Sequence, residues 1–277
     1  MTQRLRVRYA KRGRLRFTSH RDISRAIERA VRRAGIPVAF SAGFSPHPKI
    51  SYAGAAPTGV ASEAEYLEIG LTRRCDPQRL RADLDASLPP GLDALDVVES
   101  GGGGLADRLH GSVWLVRLRG VRPADAADAV ERFLAREQVE VERLTKKGMR
   151  RFDTRQAVVG LTVEGAGEPA GQEPDRRGEE HDSTPCAILR MVVRHVTPAV
   201  RPDDVLAGLR LVAELAPPSP PEVIRLAQGP LDDETGGLTD PLDFDRDVAD
   251  SRDDEQGTVD GAGECAASVG GDVAADL

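Results

Sequence analysis

The stretch Gly43-Phe44-Ser45-Pro46-His47-Pro48-Lys49 limits the folding of this chain more than any other. Pro46 and Pro48 each hold φ at about −65° and remove a backbone donor, so the segment suits neither a helix interior nor a central strand. It is expected to run as a stiff loop bearing an aromatic ring, an imidazole and an ammonium. Strand-like residues flank it, Pro37–Phe40 before and Ile50–Ala53 after, and a longer strand reads from Ala64 to Leu71 beyond a Gly/Pro turn. A rigid loop between strands is a frequent seat of binding groups. The plainer alternative is a proline-stiffened connection with a solvated histidine.

The residues around this loop have a consistent pattern. In LRVRYAKRGRLRF, Leu5, Val7 and Tyr9 alternate with Arg4, Arg6 and Arg8, the period of a strand with one buried face. Leu15 and Phe17 are expected to resume that strand after a basic turn, with Arg6, Arg8, Arg14 and Arg16 pointing away from the core. Ile23, Ala26, Ile27, Ala30, Val31 and Ala34 then form one apolar stripe of a helix from Ser19 to Ala34. Ser19 is placed to cap it, and Gly35 with Pro37 to stop it. The other side of the helix carries Arg21, Arg25, Arg29, Arg32 and Arg33, with Glu28 as compensation. A second helix begins at Asp76-Pro77, with Leu80, Leu84 and Leu88 every fourth residue, and Leu95–Val98 makes a closing strand.

The order β-α-β-β-α-β is that of a ferredoxin-like unit, an antiparallel sheet under two helices. After a glycine run, Gly101–Gly104, expected as a flexible linker, the order recurs. Val113–Leu118, Ala124–Arg136, a hairpin of Val139–Leu144 with Ala157–Val163, Ala187–Val196, Asp203–Leu215 and Glu222–Ala227 supply it. The expected architecture is therefore α+β, two tandem ferredoxin-like units over residues 1–100 and 105–230. A polar Gly/Pro-rich insertion at 165–185 and an acidic tail over 231–277 are expected to be disordered.

Charge is segregated along the chain. The net charge is −7 over 277 residues, yet residues 1–50 hold thirteen Lys/Arg against Asp22 and Glu28, and residues 231–277 hold fifteen Asp/Glu against Arg246 and Arg252. A cationic head of this kind attracts a polyanion. Cys75, Cys186 and Cys265 are far apart and show no metal-ligand or disulfide spacing, so neither a metal nor a cofactor is expected. No apolar run is long enough to span a bilayer, and the N-terminus has no apolar signal core, which predicts a cytoplasmic protein.

GFSPHPKIS, with RLRFTSHRDISRAIERAVRRAGIPVAFS before it and TGVASEAEYLEI after it, resembles a bacterial family known as radical SAM-linked or radical SAM-associated proteins, a domain of unknown function. The resemblance covers roughly residues 3–230 and is most specific from Arg14 to Glu68. It implies a stand-alone form of the kind found in actinobacteria, often encoded beside an RNase E/G-type ribonuclease. Other members are fused to a B12-binding and radical SAM region. The CxxxCxxC cluster motif of the fused form is missing here, so radical SAM chemistry does not transfer to this chain.

Three functions follow as expectations. The first is an RNA-binding or accessory factor in RNA processing or modification, in which Arg14, Arg16, Arg21, Arg25 and Lys49 hold phosphates. Phe44 and Tyr52 would stack bases, Ser45 and His47 would assist from the loop, and a second basic group, Lys146, Lys147 and Arg155, would clamp from another side. For Tyr52 and Phe17 the alternative is core packing. The second is a metal-independent RNA-processing enzyme with His47 and His20 as an acid–base pair, since imidazole titrates near neutrality. The third is a scaffold for a ribonuclease or radical SAM enzyme.

Overall fold

The strand β1 (Gln3–Lys11) keeps the expected alternation, with Leu5, Val7 and Tyr9 buried beneath two helices. The computed structural model describes residues 1–145, 148–164 and 184–248, and over these the architecture is α+β. The first helix, α1 (His20–Arg33), lays Ile23, Ile27, Ala30 and Val31 on that core, because residues three and four apart share one side of a helix. Ser19 caps it by accepting the Asp22 amide at 3.3 Å. Its end is closed by Gly35 at φ +65°, which lets the Ile36 amide reach back to the Val31 carbonyl at 3.1 Å. The second helix, α2 (Pro77–Asp85), adds Leu80 and Leu84 to the same layer. With β2 (Ile50–Ala53), β3 (Ala61–Leu71) and β4 (Leu92–Glu99), the strand order of this half is β4-β1-β3-β2, every neighbour antiparallel.

Two segments expected as strand take other forms. Gly13–Phe17 is a 3-10 turn, entered at Gly13 with φ +54°, a conformation outside the strand region. Pro37–Phe40 makes only isolated bridges, Val38 to Leu71 and Phe40 to Pro48, because Pro37 and Pro48 offer no amide to extend a ladder.

The second half comprises β5 (Gly111–Arg119), α3 (Pro123–Leu134), β6 (Glu140–Thr145), β7 (Gly148–Asp153), β8 (Val158–Glu164), β9 (Cys186–Arg194), α4 (Pro202–Ala213) and β10 (Glu222–Gly229). Its order is β10-β5-β9-β8, again antiparallel throughout. The expected hairpin of 139–144 with 157–163 does not form. Instead β6 and β7 make a separate two-stranded ribbon, while β8 pairs with β9. Val141 and Phe152 face each other across the ribbon and both enter the core, which sets its register. Lys146 and Lys147, residues 165–183 of the expected insertion at 165–185 and residues 249–277 of the expected tail at 231–277 lie outside the described residues.

The short β2 decides how the halves join. It pairs only with Tyr66–Ile69 and leaves the start of β3 open on that side. There β10 lies parallel to β3, Ile224 opposite Ala61 and Arg225 opposite Ser62. The two expected tandem units thus share one eight-stranded sheet.

The sheet face opposite the helices is also covered. Ala53, Ala64 and Tyr66 pack against Leu105, Leu109 and Leu242. Gly101–Gly104, expected to be a flexible linker, is held down: the Gly101 amide donates to Asp245 at 2.8 Å, and the Gly102 and Gly103 carbonyls accept from Arg6. Arg6 itself, expected to point away from the core, is fully buried between Glu68 at 2.9 Å and Asp245 at 2.8 Å. Residues 231–248, placed by composition in the acidic tail, pack onto this face. Residues 243–248 are helical, and Leu242 and Asp245 are completely buried. Acidic composition misleads here because Arg6 and Arg108 neutralise Asp245.

Candidate nucleic-acid interface

Arg21, Arg25, Arg29 and Arg32 are all exposed on α1, opposite its buried stripe. Positions i, i+4, i+8 and i+11 fall on one ridge, which at about 1.5 Å per residue runs for roughly 16 Å. The nearest carboxylate contact on the ridge is Arg25 to Asp22, at 3.7 Å between exposed groups; screening makes such a pair nearly neutral in energy. Arg14 is exposed in the adjoining 3-10 turn, and Arg16 lays its guanidinium over the Phe17 ring at 4.7 Å. Arginines nearer the interior are matched: Arg12 by Glu63 and Asp93, Arg143 by Asp204, Arg225 by Glu65, Arg246 by Asp96 and Asp240.

His20 opens α1 and is exposed, its ring edge-on to Tyr52 with centroids 5.1 Å apart. Tyr52 packs beside the α1 core, and burial pushes its phenol up to about 12, with the Ser24 hydroxyl opposing the shift. Packing is thus the role seen for Tyr52. Phe17, for which core packing was the alternative, is 62 % exposed.

The proline loop is closed at its base. The Ser41 amide donates to the His47 carbonyl at 2.8 Å, the His47 amide to the Ser41 hydroxyl at 3.0 Å, and the Lys49 amide to the Ala39 carbonyl at 2.7 Å. Phe44, Ser45 and His47 all stand exposed on it, Phe44 completely. Ile50 and Tyr52 face α1, so Lys49, one residue out of phase, faces away; its Cβ lies beside Gly70 on the far side of the sheet.

The predicted residues therefore divide. Arg14 and Arg16 lie in the turn that leads into α1, and Arg21 and Arg25 on the exposed side of α1, whereas Lys49 faces the other side of the sheet. Among the described residues no hydrogen bond or ring contact joins His20 to His47. Arg155 is spent on the backbone, bonding the Leu134 carbonyl at 3.4 Å and the Val158 carbonyl at 3.2 Å.

A model of an uncharacterized protein family conserved in bacteria, DUF2344, matches residues 4–202. The chain belongs to this family. The DUF2344 match contains the arginine ridge and the proline loop, while β10 and Asp245 lie beyond it. No curated protein matches the chain.

Several residues of this DUF2344 chain stood outside the expected site. Arg29 and Arg32, which spacing already put on the basic side of α1, complete the ridge. Phe40 is 53 % exposed at the loop stem, where the flanking prolines were the signal. His195 had no signal at all. Its Nδ1–H donates to the Leu109 carbonyl at 2.7 Å, which leaves Nε2 to accept the Ser112 hydroxyl at 2.6 Å. Burial lowers the His195 pKa, and the nearby Arg225 and His110 act in the same direction against the Leu109 hydrogen bond. Ser112 is fully buried, so this pair pins the backbone instead of presenting a nucleophile.

Proposed function

We propose that this DUF2344 chain is an RNA-binding accessory factor working in the cytoplasm, with the α1 ridge laid along the phosphate backbone. One observation carries the reading. In a chain of net charge −7 that pairs its interior arginines with carboxylates, the four arginines of the ridge are left to solvent on one side of one helix. Guanidinium groups in a row suit a row of phosphates, because each neutralised phosphate releases a bound counterion. The resemblance to radical SAM-linked proteins supports a partner that acts on the bound RNA, a radical SAM enzyme or a ribonuclease. Among the described residues no helix is long and apolar enough to cross a membrane.

The test is fluorescence anisotropy of labelled RNA over a salt series. Contacts from the four ridge arginines give a log–log slope of about −3, at roughly 0.7 per phosphate for a single strand. Arg21→Glu with Arg25→Glu is expected to flatten that slope. Binding that ignores salt, or a variant indistinguishable from the parent, would remove the reading.

A further inference from the structure

Four of the six phenylalanines of this chain are exposed: Phe17, Phe40 and Phe44, by 62 %, 53 % and 108 %, fall within the first fifty residues, while Phe244, by 54 %, lies against Arg108 near the other end. Phe133 and Phe152, by contrast, are buried in the core of the second half. An exposed phenyl gains nothing from water, and several in one region mark a surface that meets something. Phe44 is held out, not left loose: the hydrogen bonds between Ser41 and His47 and between Lys49 and Ala39 close the loop beneath it, and Pro46 and Pro48 stiffen its return. Phe17 sits in the turn leading into α1 and already supports one guanidinium, that of Arg16.

The face that a sheet of this kind commonly offers to bases is closed. Leu105, Leu109 and Leu242 cover Tyr66 and Ala64 there, and Asp245 occupies Arg6. On that face Phe244 lies over Arg108, which Asp245 already pairs, whereas among the described residues the first half carries its exposed rings in the turn before α1 and at the β2 edge, with the solvent-facing arginines of α1 on the helix side. Alternation through the Phe40–Pro48 bridge puts Phe40 on the same side of the sheet as Val38 and α1.

We infer that the ligand of this surface is single-stranded nucleic acid, with Phe44 as a preformed stacking finger for an unpaired base beside the α1 phosphate track. The inference rests on the phosphate-binding reading above and adds the class of strand. The physical reason is that a duplex buries its base faces in its own stack. It offers the arginines phosphates but offers Phe44 nothing, whereas an unpaired base presents a π face of any sequence.

The experiment compares the full chain with its Phe44→Ala, Phe44→Leu and Phe44→Trp variants. Each is titrated against a labelled 12-nucleotide single strand and against a perfectly paired hairpin RNA of equal phosphate count. Single-strand binding is expected to be tighter and to fall by about tenfold in Phe44→Ala and Phe44→Leu. Phe44→Trp should retain it, and hairpin binding and the salt slope should stay unchanged. The side chain is fully exposed, so these substitutions leave the core intact. Salt-dependent binding of both RNAs with no effect at Phe44 overturns the stacking finger and leaves the arginine track standing. No salt-dependent binding to either RNA overturns both. Retention of the chain on anionic lipid vesicles, lost in Phe44→Ala, with no RNA bound, assigns the surface to a membrane and ends the inference.

Discussion

Arg225 on β10 and Glu65 on β3 form an ion pair inside the seam between the halves, each side chain only 4 % exposed. Every polar atom of the pair has a partner. Arg225 also donates to Ser62 and Gln228 at 3.2 Å and lies over Trp114, while Glu65 accepts the Ala56 amide. The Lys11 ammonium is close by, its pKa lowered by burial and only partly restored by Glu65. A buried pair offsets its desolvation only when saturated in this way. The parallel ladder between β3 and β10 pairs just two residues on each strand, so the ion pair fixes its register.

Removing one partner should therefore be costly. Glu65→Gln or Arg225→Met alone is expected to lose about 3–5 kcal/mol, since the other charge stays buried without its counterion. The double variant should lose less than the sum. Urea unfolding of the four proteins gives the coupling energy; a value near zero would deny the pair its part in the seam.

Asp245→Ala should destabilise the chain by a similar amount, about 3–5 kcal/mol, because it leaves Arg6 fully buried beside Glu68 alone. A chain ending at Leu238 should lose at least as much, since Leu242 departs too. Thermal melting of both checks this, and unchanged midpoints would make the C-terminal segment a passive covering.

His195 should titrate below the ordinary 6.5 of a histidine. The unfolded chain then binds a proton that the folded chain refuses, so stability is complete above pH 6.5 and is lost as pH falls from there to the folded value. Proton NMR of the imidazole resonances follows it directly. A normal or raised value would mean that burial does not govern the ring.

Charge reversal distinguishes an interface from bulk charge. Arg25→Glu with Arg29→Glu should weaken RNA binding at least tenfold at low salt and reduce the salt slope by about 1–2 units. Arg210→Glu on α4, also exposed, should do little. Equal losses from the two would mean that only net charge matters.

The sequence made the α1 side of the first half legible because one pattern decided it. A strict stripe from Ile23 to Val31, a Ser19 cap and a Gly35 stop all point the same way, and the arginines of α1 fall opposite by the same geometry. Arg14 and Arg16 were read as the outward side of a strand, and Gly13 puts them in a turn instead. Legibility failed wherever a long-range partner overrode composition. Residues 148–153 fall between the two expected arms of a hairpin until Val141 meets Phe152, and Arg6 looks solvent-bound until Asp245, far along the chain, covers it. Lys49 was misgrouped because nearness in sequence to His47 says nothing about the side of the sheet it faces. His195 and Ser112 become neighbours only through the pairing of β5 with β9.

The brevity of β2 has a practical corollary. Cut at residue 100, the first half would show raw hydrogen-bonding edge at Ala61 and Ser62 and bare apolar area around Tyr66, two adhesive sites on a small body. Such a fragment is poised to clump or to recruit a surrogate strand from another molecule. Neither half of this protein is a portable module, and grafting or dissecting it should respect the whole span from Gln3 to Asp245.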